Sequence, residues 1–180
     1  MRKIESKDIE KVLGLNIKKN ENIAEIEENF KFLNGKFSIL YDFILTYNNF
    51  VNKKKTYDSQ GDELTMLEAH VLLDIVEYPK ITVSELANKW KKTPSAISQT
   101  LKKLIAKDYV YREISSVNAK FFLLFPTEKG KKFTIYHKHY DNIDIVKTIK
   151  RLRKDFTVEE IAIFYKVMEG FTKIVECSEE

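Results

Sequence analysis

The chain has 180 residues, of which 43% are hydrophobic and 32% charged, a composition typical of a folded, water-soluble protein. Its single cysteine excludes an internal disulfide and favours a reducing compartment, so a cytoplasmic location is expected. The charged first residues do not resemble a signal peptide, and no run of 18 apolar residues predicts a membrane span. The low counts of glycine (5) and proline (3) leave little room for hairpins and favour a mainly α-helical fold.

The N-terminal part divides into a polar extension and an apolar helix. Residues 1–36 are predicted to be a partly helical extension, with a kink or break at Gly35. Between Phe37 and Val51, large apolar side chains would cover most of the helix surface, and residues 53–55 and 57–62 are predicted to form a loop. A helix that is apolar nearly all round must be buried, so a second subunit is predicted to cover it.

Five helix starts can be identified from capping residues. Three are Thr-x-x-Glu pairs, in which the threonine hydroxyl and the glutamate carboxylate satisfy each other's backbone amides: Thr65 with Glu68, Thr82 with Glu85, and Thr157 with Glu160. They predict helices over 65–77, 82–90 and 157–177. Thr93-Pro94 begins a helix over 93–107, and Thr127 begins one that runs to about residue 150.

A β-hairpin is predicted after helix 93–107, because β-rich residues 109–114 and 119–125 flank a short polar turn. Two short helices joined by a turn of about three residues, with a hairpin behind them, have the spacing of a winged helix-turn-helix. The second helix is predicted to pack through Ile97, Leu101, Leu104 and Ile105.

The opposite face of this helix carries small polar residues first and lysines later, with no acidic residue. Residues 80–132 contain 12 Lys and Arg against 4 Asp and Glu, a net charge of +8, whereas the rest of the chain has a net charge of −4. Small side chains let a helix approach DNA closely, Gln99 can pair with adenine, and Lys102 and Lys103 can contact phosphates. The face is therefore interpreted as DNA-binding.

The segments "ITVSELA", "TPSAISQTLKKLIAKDYVYR" and "FPTEKGKK" resemble the MarR family of bacterial winged-helix regulators. The resemblance implies a MarR-like domain over 37–180, with the winged helix-turn-helix at 64–130 and dimerisation helices at 37–55 and 131–177. It implies a homodimer that binds double-stranded DNA. The predicted DNA contacts are Lys92, Thr93, Ser95, Ser98, Gln99, Lys102, Lys103, Arg112 and Lys120.

Two positions depart from the family pattern. The wing usually carries Asp-x-Arg, and the matching residues here are Asn118-Ala119-Lys120. Lysine lacks the planar fork of arginine, so Lys120 is predicted to anchor the DNA backbone rather than to read the minor groove. The usual glycine after the recognition helix is replaced by Asp108.

A small-molecule site between the dimerisation helices and the winged module is also implied by the resemblance, with Tyr41, Phe43, Tyr47 and His70 as candidate lining residues. Packing in an ordinary core is the competing interpretation. His137 and Asp141 have a spacing that metals can use, but no third ligand is evident, so no metal and no cofactor are predicted.

The sequence predicts a dimeric, sequence-specific transcriptional regulator, most simply a repressor that a small effector could relieve. No phosphate-binding loop, nucleophile motif or paired carboxylates suggest an enzyme. Two alternatives stay open: a winged-helix protein-interaction module without specific DNA binding, and a metal or ligand sensor.

Overall fold

A computed structural model of the protein describes residues 23–57, 62–115 and 122–177. The chain divides into two compact units, with the boundary between Lys53 and Lys54. The described part of the first unit is helix α1 (Ile23–Asn52), whose large apolar side chains are largely exposed.

The second unit contains two small antiparallel sheets and five helices among its described residues. Strands β1 (Lys55–Thr56) and β2 (Glu63–Leu64) pair with each other, as do β3 (Val110–Ile114) and β4 (Phe122–Pro126). The helices are α2 (Met66–Glu77), α3 (Val83–Lys89), α4 (Pro94–Ala106), α5 (Glu128–Leu152) and α6 (Val158–Cys177). The mainly α fold with a two-stranded wing is therefore confirmed.

The predicted helix starts are confirmed by their hydrogen bonds. Thr65 and Thr82 each accept from the third helical amide, while Glu68 and Glu85 accept from the threonine N–H. The same reciprocal pair joins Thr157 and Glu160 at 2.8 and 3.1 Å. Thr93 and Thr127 cap the two remaining helices.

The core of the second unit lies where α2, α3, α4, the wing and the start of α5 meet. Its side chains are apolar and at most 8% exposed, and the largest are Leu64, Leu72, Ile75, Leu86, Ile97, Leu104, Tyr109, Leu124 and Phe133. Two backbone hydrogen bonds, from Lys80 N to Leu124 O and from Leu124 N to Ile81 O, attach the loop before α3 to the wing. The helix-turn-helix and the wing thus share one core.

Three sequence predictions are corrected. Helix α1 continues through Gly35 without a break, since one glycine costs a helix only about 1 kcal/mol. Residues 55–56 and 63–64 pair as strands, although residues 53–62 were expected to form a loop. Ile105 is 37% exposed, because the buried stripe of α4 passes through Thr100 and Leu104.

No helix in the described part of the chain combines the length and the apolar composition needed to cross a membrane.

Candidate nucleic-acid interface

Helix α4 separates its apolar and polar residues cleanly. Ile97, Leu101 and Leu104 are at most 4% exposed and anchor the helix in the core. Ser95, Gln99, Lys102 and Lys103 are exposed on the other face, and Ser98 is half-buried. The helix contains no acidic residue. This face is therefore accessible along its length and carries only neutral or positive groups.

The turn before α4 is held by hydrogen bonds rather than by apolar packing alone. Lys91 adopts the left-handed backbone conformation (φ 48°), and the N–H of Lys92 donates to the carbonyl oxygen of Ala87 at 3.0 Å. Thr93 then accepts from the N–H of Ala96 at 3.2 Å. Lys92 and Thr93, two of the predicted DNA contacts, are exposed beside the first turn of α4.

Helix α2 positions the helix-turn-helix through Asp74. This buried carboxylate accepts from the indole N–H of Trp90 at 2.8 Å and from the ammonium of Lys89 at 2.5 Å. Trp90 forms the end of α3, so Asp74 holds the residue at which the chain turns toward α4. The hydrogen bond that Lys89 donates to Asp74 raises the pKa of Lys89 above its usual range.

The two neighbouring lysines of α4 lie in different electrostatic environments. Lys103 Nζ lies 3.0 Å from Oε1 of Glu68, whose side chain is 5% exposed. Burial favours the protonated form of Glu68, but hydrogen bonds from Thr65 and Lys103 outweigh it, and the pKa of Glu68 lies below its usual range. Lys102 forms no ion pair with any residue that the structure describes. Lys102 therefore presents the less compensated charge.

The described part of the wing contains one exposed cation. Arg112 on β3 is exposed, and its guanidinium lies 4.6 Å from the ring centre of Phe122 on the paired strand. Tyr111 stacks on Phe125 at 5.4 Å. Lys120, the predicted wing contact, lies outside the described residues, as do Asn118 and Ala119.

The four residues of the predicted effector site belong to different units. Tyr41, Phe43 and Tyr47 lie exposed on α1, where Phe43 and Tyr47 stack at 5.7 Å. His70 lies on α2 in the second unit. An effector site made of these residues stays a prediction.

A second cluster of polar side chains lies between α2 and α5. Nε2 of His70 and Nε2 of His137 lie 3.4 and 3.5 Å from Oδ2 of Asp141. The His137 side chain is 1% exposed, and burial lowers its pKa to about 4, against the opposing effect of Asp141. Its imidazole is therefore neutral at neutral pH. The spacing of His137 and Asp141 was visible in the sequence, but the approach of His70 was not.

The MarR family model matches residues 64–120, a range that includes α2, α3, α4 and β3. An uncharacterized HTH-type transcriptional regulator of Bacillus subtilis, YhjH, is 33% identical over 78 residues. The match spans 43% of this chain and 45% of that protein, which is less than half of the relative's length.

Solved structures extend the likeness to the fold of most of the chain. FabT of Streptococcus pneumoniae, crystallised in complex with DNA, has a TM-score of 0.57 at 20% identity, covering 82% of this chain and 97% of that chain. ZitR of Lactococcus lactis, described as a zinc-responsive MarR family member, has a TM-score of 0.60 at 19% identity, covering 79% and 99%. At these identities the likeness shows a shared fold.

Proposed function

We propose that this chain belongs to the MarR family and is a sequence-specific, double-stranded DNA-binding transcriptional regulator, and the family match over residues 64–120 supports this. The observation that carries the proposal is the exposed face of α4, where small polar side chains precede Lys102 and no acidic residue intervenes. In a major groove, Ser95, Ser98 and Gln99 would meet base edges, and Lys102 would meet phosphates. Repression through occupancy of an operator in the cytoplasm is the action that we propose.

The remaining predicted contacts fit the same docking. Lys92 and Thr93 at the start of α4 and Arg112 on the wing are exposed cationic or hydroxyl side chains suited to phosphate oxygens. Lys103 stays a proposed contact, although its ammonium already pairs with Glu68. Lys120 stays a proposed backbone contact that the described residues do not include.

A twofold dimer is the assembly that we propose, and exposed apolar surface supports it. Helix α6 has no buried residue, and its side chains Ile163, Val167 and Ile174 are 59%, 56% and 64% exposed. Contiguous apolar surface of this kind is typical of a subunit interface. A second apolar stripe on α6 repeats with the helical period, and it consists of Ile161, Phe164, Met168, Phe171 and Val175. Three of these side chains, Ile161, Met168 and Phe171, are partly exposed.

Light scattering is expected to give a mass of about twice 21.2 kDa at micromolar concentration. Phe164→Glu would place a charge on the apolar stripe and should shift the protein toward the monomer. Lys166→Glu adds the same carboxylate on another face of α6 and should leave the mass unchanged. A monomeric wild-type protein would refute the proposed dimer.

The function itself can be tested by selecting fragments of the source genome that bind the protein, followed by footprinting. A dimer with two recognition helices is expected to protect an inverted repeat whose half-sites lie about 10 bp apart, or a multiple of that distance. A single asymmetric footprint would contradict the dimer docking. Recovery of no preferred fragment would favour a protein-interaction module instead.

A further inference from the structure

We infer that His70, His137 and Asp141 form a binding site for a divalent transition-metal ion, with Zn²⁺ as the best match. The site would join α2 to α5, and the inference goes beyond the proposed DNA binding and does not depend on it.

The spacing of the ligand atoms suits a metal. The three ligand atoms lie within 4.8 Å of one another, and Oδ2 of Asp141 is 3.4 and 3.5 Å from the two imidazole nitrogens. Zinc–ligand bonds of about 2.0–2.1 Å place neighbouring ligands of a tetrahedral ion roughly 3.3 Å apart. Small side-chain rotations of the two histidines would therefore bring all three atoms to bonding distance.

The burial of His137 gives an independent reason to expect a ligand. Neither ring nitrogen of His137 has a hydrogen-bond partner among the protein groups that the structure describes. Buried polar atoms without a partner are rare, because each loses its hydration without compensation. Packing alone does not account for an imidazole here, since the neighbouring rings of Tyr57, His70 and Phe133 would surround an apolar side chain equally well. Coordination would satisfy one of the two nitrogens.

The chemistry of the donors selects the class of ion. Two imidazoles and one carboxylate suit Zn²⁺ and its first-row neighbours, whereas Ca²⁺ and Mg²⁺ prefer oxygen donors alone. Metal binding requires the neutral imidazole, which is the form that His137 takes when buried. The His70 and Asp141 side chains are 32% and 29% exposed, so an ion could enter from solvent on their side.

Co²⁺ is a suitable probe, because its visible absorption reports the number and geometry of its ligands. We expect chelator-treated full-length protein to bind one Co²⁺ with absorption typical of four or five coordination, and Zn²⁺ to displace it. His70→Gln and Asp141→Asn alter partly exposed side chains, so both variants should keep the wild-type circular dichroism. Each should weaken Co²⁺ binding by about 100-fold or more, since loss of a mere outer-shell partner already costs 10- to 100-fold.

His139→Gln provides the matched control, because His139 lies exposed on the same helix and outside the cluster. It should bind Co²⁺ like the wild type, and so should Cys177→Ser, which removes the one exposed thiol. Absence of Co²⁺ and Zn²⁺ binding in the wild type would overturn the inference. Unchanged binding in His70→Gln and Asp141→Asn would overturn it as well, and so would loss of binding in either control.

Discussion

Gln99→Ala is expected to remove most of the discrimination between operator and scrambled DNA. Loss of one specific base contact costs about 1–3 kcal/mol. Because a dimer carries the substitution twice, the loss at a symmetric operator should be about 2–6 kcal/mol, whereas binding to scrambled DNA should hardly change. Gln99 is exposed on the early part of α4, and its replacement removes no contact with the core.

The matched control is Lys102→Ala, three residues further along the same helix. A phosphate contact is made on every sequence, so this variant should weaken operator and scrambled DNA alike and reduce the salt slope by about 1 for each lost contact. Lys102 is a cleaner choice than Lys103, since removing Lys103 would also leave the buried carboxylate of Glu68 without its ion pair. Binding is measured for each variant across a salt series. An unchanged operator-to-scrambled ratio for Gln99→Ala would show that the proposed docking of α4 is wrong.

Gly130→Ala should destabilise the protein by about 3 kcal/mol or more, which is at the upper end of overpacking effects. A Cβ at this position would overlap the carbonyl oxygen of Tyr109 and would approach Cδ1 of Leu72 to 3.2 Å. The same carbonyl accepts from the N–H of Thr127 at 3.1 Å, so the backbone cannot move aside without loss of the contacts that begin α5. The free energy of unfolding in urea measures the effect.

Gly35→Ala makes the same chemical change inside α1, where an added Cβ would meet nothing within 4 Å. Alanine is favoured over glycine inside a helix, so this control should gain about 0.5–1 kcal/mol. Equal effects of the two substitutions would disprove the close approach of Gly130 to Tyr109.

Local interactions explain why much of the fold could be predicted from the sequence. Each capping pair joins residues three apart, and the buried stripe of α4 repeats with the helical period. The turn after α4 also follows from a local preference of one residue. Asp108 adopts the left-handed conformation (φ 59°), which glycine, asparagine and aspartate tolerate best.

Contacts between distant residues could not be predicted in this way. Tyr57 was expected in a loop, but it is 8% exposed and packs against Phe133 and His137. This burial could not be predicted, because it depends on α5 packing against the residues at the start of the unit. His70 and His137 face each other for the same reason, with ring centres 4.8 Å apart. The pairing of Lys103 with Glu68 likewise depends on how α2 lies beside α4.

The contacts of helix α2 with three other helices have a mechanical consequence for the proposed regulator. Within twelve residues it holds α4 through Glu68, the end of α3 through Asp74, and α5 through His70. A rotation of α2 relative to α5 would therefore be transmitted to α4, the proposed recognition helix. In a twofold dimer this motion would occur in both subunits and would alter the distance between the two α4 helices. That distance must match one helical repeat of DNA, about 34 Å, for both helices to bind adjacent major grooves. An effector that changes how α2 packs against α5 could thus control operator occupancy without contacting the exposed face of α4.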